Sequence, residues 1–213
     1  METEVGPKPN NQNPEPRTQN SGVTILKICG ITCVEDARWA VKCGANALGF
    51  VFYPASPRCI TSARAARIMA ALPPSCLKVG VFVGSPETPP PSDLDVLQLH
   101  GLESEQDIHD FGKWVWIAAE SGEIESFPKH DLLIDSSRGR GIKADWQSLK
   151  SVQRPFILSG GLTPENVAGA IQMLNPLGVD VSSGVEESPG RKDPDKIRAF
   201  LRNALAKVGE KQL

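Results

Sequence analysis

The chain has 213 residues, enough for one sizeable core but short for two, so a single domain is expected. With 23 Lys and Arg against 25 Asp and Glu, interspersed rather than blocked, the formal charge is −2; a broad basic surface for nucleic acid is excluded, and any anion must be held locally. No apolar stretch approaches bilayer-spanning length, so no membrane association is expected either.

Met1 to Gly22 is rich in Pro, Asn, Gln and charge and nearly devoid of large apolar side chains, which predicts a disordered tail over 1–22 and a folded domain over 23–213. The tail has no apolar signal-peptide core and is not an Arg-rich amphipathic helix. Five cysteines, an odd number, all lie in the first half without a CxxC pair, as expected of a reduced, cytoplasmic protein. Cys29 and Cys33 lie four apart but no second ligand pair follows, so no metal site is predicted.

Beyond the tail, short β-rich runs alternate with segments able to form helices, the pattern of a parallel sheet with crossovers. The runs are Leu26–Cys29, Ala47–Phe52, Leu77–Val83, Val96–Leu99, Trp114–Ala118, Leu132–Ile134, Phe156–Leu158 and Val179–Val181. Eight such units close a (β/α)8 barrel. Helix-spaced apolar residues predict helices over Cys33–Cys43, Thr61–Ala71, Pro164–Leu174 and Asp193–Lys207. The third connection carries Pro89-Pro90-Pro91, and three rings that remove donors and clash with the preceding turn forbid a normal helix. The fifth, Glu120 to His130, is too short for much of one, so the barrel is expected to have reduced or missing third and fifth helices.

Four groups of residues carry chemistry. Cys29 closes the first run, and parallel α/β folds place their reactive groups at C-terminal strand ends; a small buried thiol is the alternative. Asp135 ends Leu132-Leu133-Ile134 in the same way, as a proton donor or as a turn-capping aspartate. Ser159-Gly160-Gly161-Leu162 and Ser182-Ser183-Gly184-Val185 follow the seventh and eighth runs, where barrel backbones commonly bind phosphate. Arg58 leaves the second run after two prolines and can pair with a carboxylate, or simply face solvent.

Taken in order, Lys27-Ile28-Cys29-Gly30-Ile31-Thr32, Leu48-Gly49-Phe50-Val51-Phe52 with Ser56-Pro57-Arg58, Val79-Gly80-Val81-Phe82-Val83, Leu97-Gln98-Leu99-His100-Gly101, Leu158-Ser159-Gly160-Gly161-Leu162 and Val179-Asp180-Val181-Ser182-Ser183-Gly184-Val185-Glu186 resemble the phosphoribosylanthranilate isomerases. Pro189-Gly190-Arg191-Lys192-Asp193 extends the resemblance, which spans Ile25 to the last helix.

The resemblance implies a single-domain TIM barrel that performs an Amadori rearrangement in tryptophan biosynthesis on a small phosphoribosyl substrate, with no metal or organic cofactor. It implies Asp135 as general acid, Cys29 as general base, Arg58 on the anthranilate carboxylate and Asp180 on a ribose hydroxyl. Gln98 and His100 would line the pocket, with Gly160, Gly161, Ser182, Ser183 and Gly184 on the phosphate. A base of this kind is expected to ionise near or somewhat below the ordinary thiol value.

The chain departs from the family pattern after Asp135, where Ser136-Ser137-Arg138-Gly139-Arg140-Gly141-Ile142-Lys143 is compact and basic. The related isomerase of histidine biosynthesis shares paired phosphate loops but uses two aspartates, which Cys29 argues against. A decayed barrel serving as a binding module is the non-enzymatic alternative. The oligomeric state stays open, with a monomer favoured.

Overall fold

The computed structural model describes residues 23–102, 104–120, 122–135 and 146–209; the N-terminal tail and the loop over 136–143 lie outside them. Eight strands, β1 (Ile25–Ile28), β2 (Ala47–Val51), β3 (Leu77–Val83), β4 (Val96–His100), β5 (Trp114–Ala119), β6 (Asp131–Asp135), β7 (Phe156–Ser159) and β8 (Gly178–Val181), each begin and end within one residue of the expected run. All pair in parallel with the next, and β8 pairs with β1 to close the barrel.

Strand alternation sorts the side chains. Leu26, Ile28, Leu48, Phe50, Leu97 and Leu99 face outward into the large core shared with the helices. Inside, Ala47, Val79, Val96, Trp116, Leu133 and Ile157 form an apolar plug. Two residues further along their strands the inner face turns polar, with Lys27, Gln98, Asp135, Ser159 and Asp180. The strands thus read as apolar on both faces until their C-terminal ends, where the chemistry begins.

Among the described residues four α-helices pack outside: α1 (Val34–Lys42), α2 (Ser62–Met69), α3 (Val167–Leu174) and α4 (Pro194–Gly209). Thr61 caps α2, its hydroxyl accepting the Arg64 N–H at 3.2 Å. α3 begins three residues later than Pro164, because the Asn166 side chain takes the Thr163 N–H at 2.7 Å and holds the first turn outside the helix.

Among the described residues the third connection has no helix, and the fifth has only a 3₁₀ turn at Ile124–Ser126. Loops cover the strands there. Leu94 is buried against Gly80 and the Phe82 ring, while Ile124 and Phe127 fill the space of the fifth helix. The Arg154 guanidinium donates to the carbonyls of Ile124, Phe127 and His130 at 3.1, 3.0 and 2.8 Å, satisfying backbone that a helix would have paired internally. The described part of the fourth connection is also reduced to a 3₁₀ turn, Glu105–Asp107, and that of the sixth holds another, Ser148–Ser151. A small antiparallel hairpin, β9 (Glu186–Ser188) and β10 (Arg191–Lys192), stands between β8 and α4. No helix among the described residues is long and apolar enough to cross a membrane.

Candidate active site

A cavity of about 740 Å³ opens at the C-terminal ends of the strands. All eleven residues singled out from the sequence line it: Cys29, Arg58, Gln98, His100, Asp135, Gly160, Gly161, Asp180, Ser182, Ser183 and Gly184.

Cys29 follows the last residue of β1, and its N–H donates to the Val181 carbonyl at 2.8 Å, so the backbone is anchored before the side chain does anything. Two residues earlier, the fully buried Lys27 ammonium donates to Asp180 Oδ1 at 2.8 Å. Ser159 Oγ donates to the other carboxylate oxygen at 3.0 Å. Burial pulls the Lys27 pKa down, but the Asp180 carboxylate and the neighbouring Cys29 outweigh it, and the net direction is up. Burial pushes the Cys29 thiol up; Lys27 and Lys192 pull it down without cancelling that effect. The direction runs against the value near or somewhat below the ordinary thiol range that was expected of a thiol base, and at neutral pH Cys29 is the thiol.

A second ion cluster was invisible in the sequence. Arg58 binds Glu186 through two parallel hydrogen bonds, Nε to Oε1 at 2.8 Å and Nη2 to Oε2 at 2.6 Å. The buried Lys192 donates to Glu186 Oε1 at 2.9 Å and to the Ser182 carbonyl at 3.2 Å. Burial would raise the Glu186 carboxyl, yet Arg58 and Lys192 hold it below the usual range. The fork of Arg58 is thereby fixed in orientation, with its Nη1 side unengaged by Glu186. Pro189-Gly190, a turn dipeptide with Gly190 at φ +81°, is the signal that could have revealed the hairpin carrying Glu186 and Lys192.

On β4, the Gln98 side-chain amide and His100 Nε2 lie 2.8 Å apart in a hydrogen bond whose donor follows the imidazole tautomer. Gln98 Oε1 is buried without a hydrogen-bond partner. Exchanging the amide atoms satisfies the oxygen and orphans the nitrogen, so one polar atom of Gln98 lacks a protein partner in either arrangement. Ser182 Oγ is also buried and unpartnered. Burial lowers the His100 pKa, with Asp135 only partly opposing it, so the ring is neutral at pH 7.

The two glycine-rich loops meet at the opposite rim. Gly160 and Gly161 adopt φ +84° and +65°, values that L side chains rarely tolerate, and Asn166 Nδ2 ties the loop down by donating to the Gly161 carbonyl at 2.9 Å. A Cβ on Gly184 would collide with the Leu162 carbonyl, so the loops pack directly on one another. Among the described residues no group of three or more His, Cys, Asp or Glu side chains is placed to hold a metal ion.

Comparison with known proteins agrees with this arrangement. Residues 26–203 match the family model for N-(5′-phosphoribosyl)anthranilate (PRA) isomerase. The N-(5′-phosphoribosyl)anthranilate isomerase of Geotalea uraniireducens is 43% identical over 200 residues, covering 85% of this chain and 98% of that protein. The crystal structure of phosphoribosyl anthranilate isomerase from Thermotoga maritima superposes with a TM-score of 0.76 at 38% identity, over 85% of this chain and 98% of that one. A phosphoribosyl anthranilate isomerase solved in complex with reduced 1-(o-carboxyphenylamino)-1-deoxyribulose 5-phosphate matches at TM-score 0.73 and 38% identity, with the same coverage. The chain belongs to the N-(5′-phosphoribosyl)anthranilate isomerase family.

Proposed function

We propose that the chain converts N-(5′-phosphoribosyl)anthranilate to 1-(2-carboxyphenylamino)-1-deoxyribulose 5-phosphate, the Amadori rearrangement of tryptophan biosynthesis. The observation that carries this reading is the convergence of a thiol, a carboxyl, a fixed arginine and two glycine-rich loops on one cavity. Support also comes from the relative solved with a reduced form of that product. Five cysteines without a disulfide are consistent with a cytoplasmic setting.

In this reading the loops at Gly160-Gly161 and Ser182-Ser183-Gly184 take the phosphate, with the unpartnered Ser182 hydroxyl available to it. The fork of Arg58 meets the anthranilate carboxylate, and Asp180 meets a ribose hydroxyl. Gln98 and His100 line the sugar side as neutral hydrogen-bonding groups.

Asp135 protonates the ring oxygen, the ring opens, and the nitrogen lone pair forms a protonated imine. The imine acidifies the next carbon, and the Cys29 thiolate removes the proton there to give an enolamine. That enolamine ketonises by losing its hydroxyl proton to solvent and gaining one at the carbon bonded to nitrogen. Carboxylate and thiol are then back in the resting form, with no proton gained or lost.

This balance has a consequence for pH. The resting pair, carboxylate and thiol, carries the same number of protons as the productive pair, carboxylic acid and thiolate. kcat/KM is therefore expected to be flat through neutral pH. It falls on the alkaline side as the Cys29 thiol ionises and the pair loses its shared proton. Because burial raises Cys29, the alkaline fall begins above the ordinary thiol value of about 8.5. A profile that instead climbs between pH 8 and 9 would show a base working without a proton on its partner.

The test of the function itself is direct. Purified protein given freshly prepared N-(5′-phosphoribosyl)anthranilate, with no metal added, is expected to quench its anthranilate-type fluorescence catalytically. Binding without turnover would favour a non-catalytic barrel.

A further inference from the structure

We propose that Lys27 is a positioning residue for proton removal: its buried ammonium, fixed by Asp180, holds Cys29 as the thiolate in the productive form of the enzyme. The proposal rests on the reading of Cys29 as the base.

A lysine in an apolar strand has a simpler explanation, that it only neutralises Asp180 where the barrel closes. Three observations go beyond that. Asp180 is not short of donors, since Ser159 Oγ already binds Oδ2 while Lys27 takes Oδ1. The ammonium has three N–H donors, and Oδ1 occupies one; Cys29 is a second neighbour whose charge acts on it.

Third, β2 carries no side chain where the two groups converge. A Cβ on Gly49 would stand 2.7 Å from Cys29 Sγ and 3.1 Å from Lys27 Nζ, so both atoms crowd the same point. The Gly49 carbonyl meanwhile accepts the Gly30 and Ile31 N–H groups at 3.0 and 2.9 Å, pinning the backbone around that space. A glycine here lets sulfur and ammonium approach each other from one strand face.

The charged groups around the thiol act with opposite sign. Lys27 and, from β10, Lys192 favour the thiolate; Asp180 disfavours it. Lys192 is already engaged with Glu186 and the Ser182 carbonyl. Arg58, the remaining cation near Cys29, is held by Glu186. Lys27 is the cation whose ammonium stands with Cys29 Sγ over the same side-chain-free point at Gly49. During turnover the thiol proton passes to the carboxyl of Asp135 by way of solvent, and the sulfur later receives the proton from the substrate carbon.

The experiment follows alkylation of Cys29 by iodoacetamide against pH, with the modified peptide quantified by mass spectrometry so that the other four cysteines do not interfere. Lys27→Met is expected to move the midpoint up by at least about one unit and to lower the kcat/KM plateau at least tenfold. Asp180→Asn is expected to move the midpoint down. An unchanged midpoint in Lys27→Met, or shifts of the same direction in both variants, would overturn the proposal in favour of a structural ion pair. If Lys27→Met fails to fold, Lys27→Gln is measured in its place: a raised midpoint supports the role and an unchanged or lowered one refutes it. Full turnover in Cys29→Ala would remove the base reading, and Lys27's role with it, whatever the midpoints show.

Discussion

Cys29→Ala is expected to cost at least about two orders of magnitude in kcat, or roughly 2.7 kcal/mol of barrier. KM and the melting temperature should change little. The substitution removes one atom from a small side chain, and the hydrogen bonds that hold this stretch, Cys29 N–H to Val181 and the Gly30 and Ile31 N–H groups to Gly49, belong to the backbone. Steady-state fluorescence assays beside thermal melts separate the two effects. Cys29→Ser should be almost as inactive, because an alkanol ionises far above a thiol. Wild-type-like turnover in either variant would sink the assignment.

Asp135→Ala is expected to lose at least about two orders of magnitude as well, for want of a proton at the ring oxygen. His100 is the nearby candidate for a substitute acid, and it is poorly suited. Its ring is held neutral by burial, and removing the Asp135 charge takes away an influence that raised its pKa. The ring is thus a weaker proton source in the variant than in the wild type. Asp135→Asn separates shape from chemistry: an amide fills the same space without an acidic proton, and its kcat should be close to that of the alanine variant. Near-normal kcat in the amide variant would mean that Asp135 only shapes the pocket.

The strands were readable because each is short, apolar on both faces and closed by glycine or a polar residue, so every run was found to within one residue. The placement of residues at strand ends was readable for the same reason, and Cys29 and Asp135 both line the cavity there. What escaped the sequence was pairing across the fold. Lys27 looks like an interruption in an apolar run until its partner, 153 residues away, is known. Arg58 looked like a free cation because Glu186 comes from a hairpin 128 residues later. The reduced fourth helix escaped too, since its segment lacks a proline triplet. Its cover comes from packing, with His109 N–H bonded to Ser85 Oγ at 2.9 Å and its Nδ1–H to the Pro86 carbonyl at 2.8 Å across from the third connection.

The pairing of Lys27 with Asp180 joins the first strand of the barrel to the last. Until β8 arrives, a fully collapsed β1 would hold an ammonium with no counter-charge, and breaking a buried pair by withholding one partner costs about 3–5 kcal/mol. Such a penalty falls on every partly assembled barrel and vanishes only in the closed one. Seven strands and an open edge are therefore not a slightly weaker version of this protein. The charge pair acts as a latch that rewards completion, and a chain truncated before Asp180 is expected to remain unlatched.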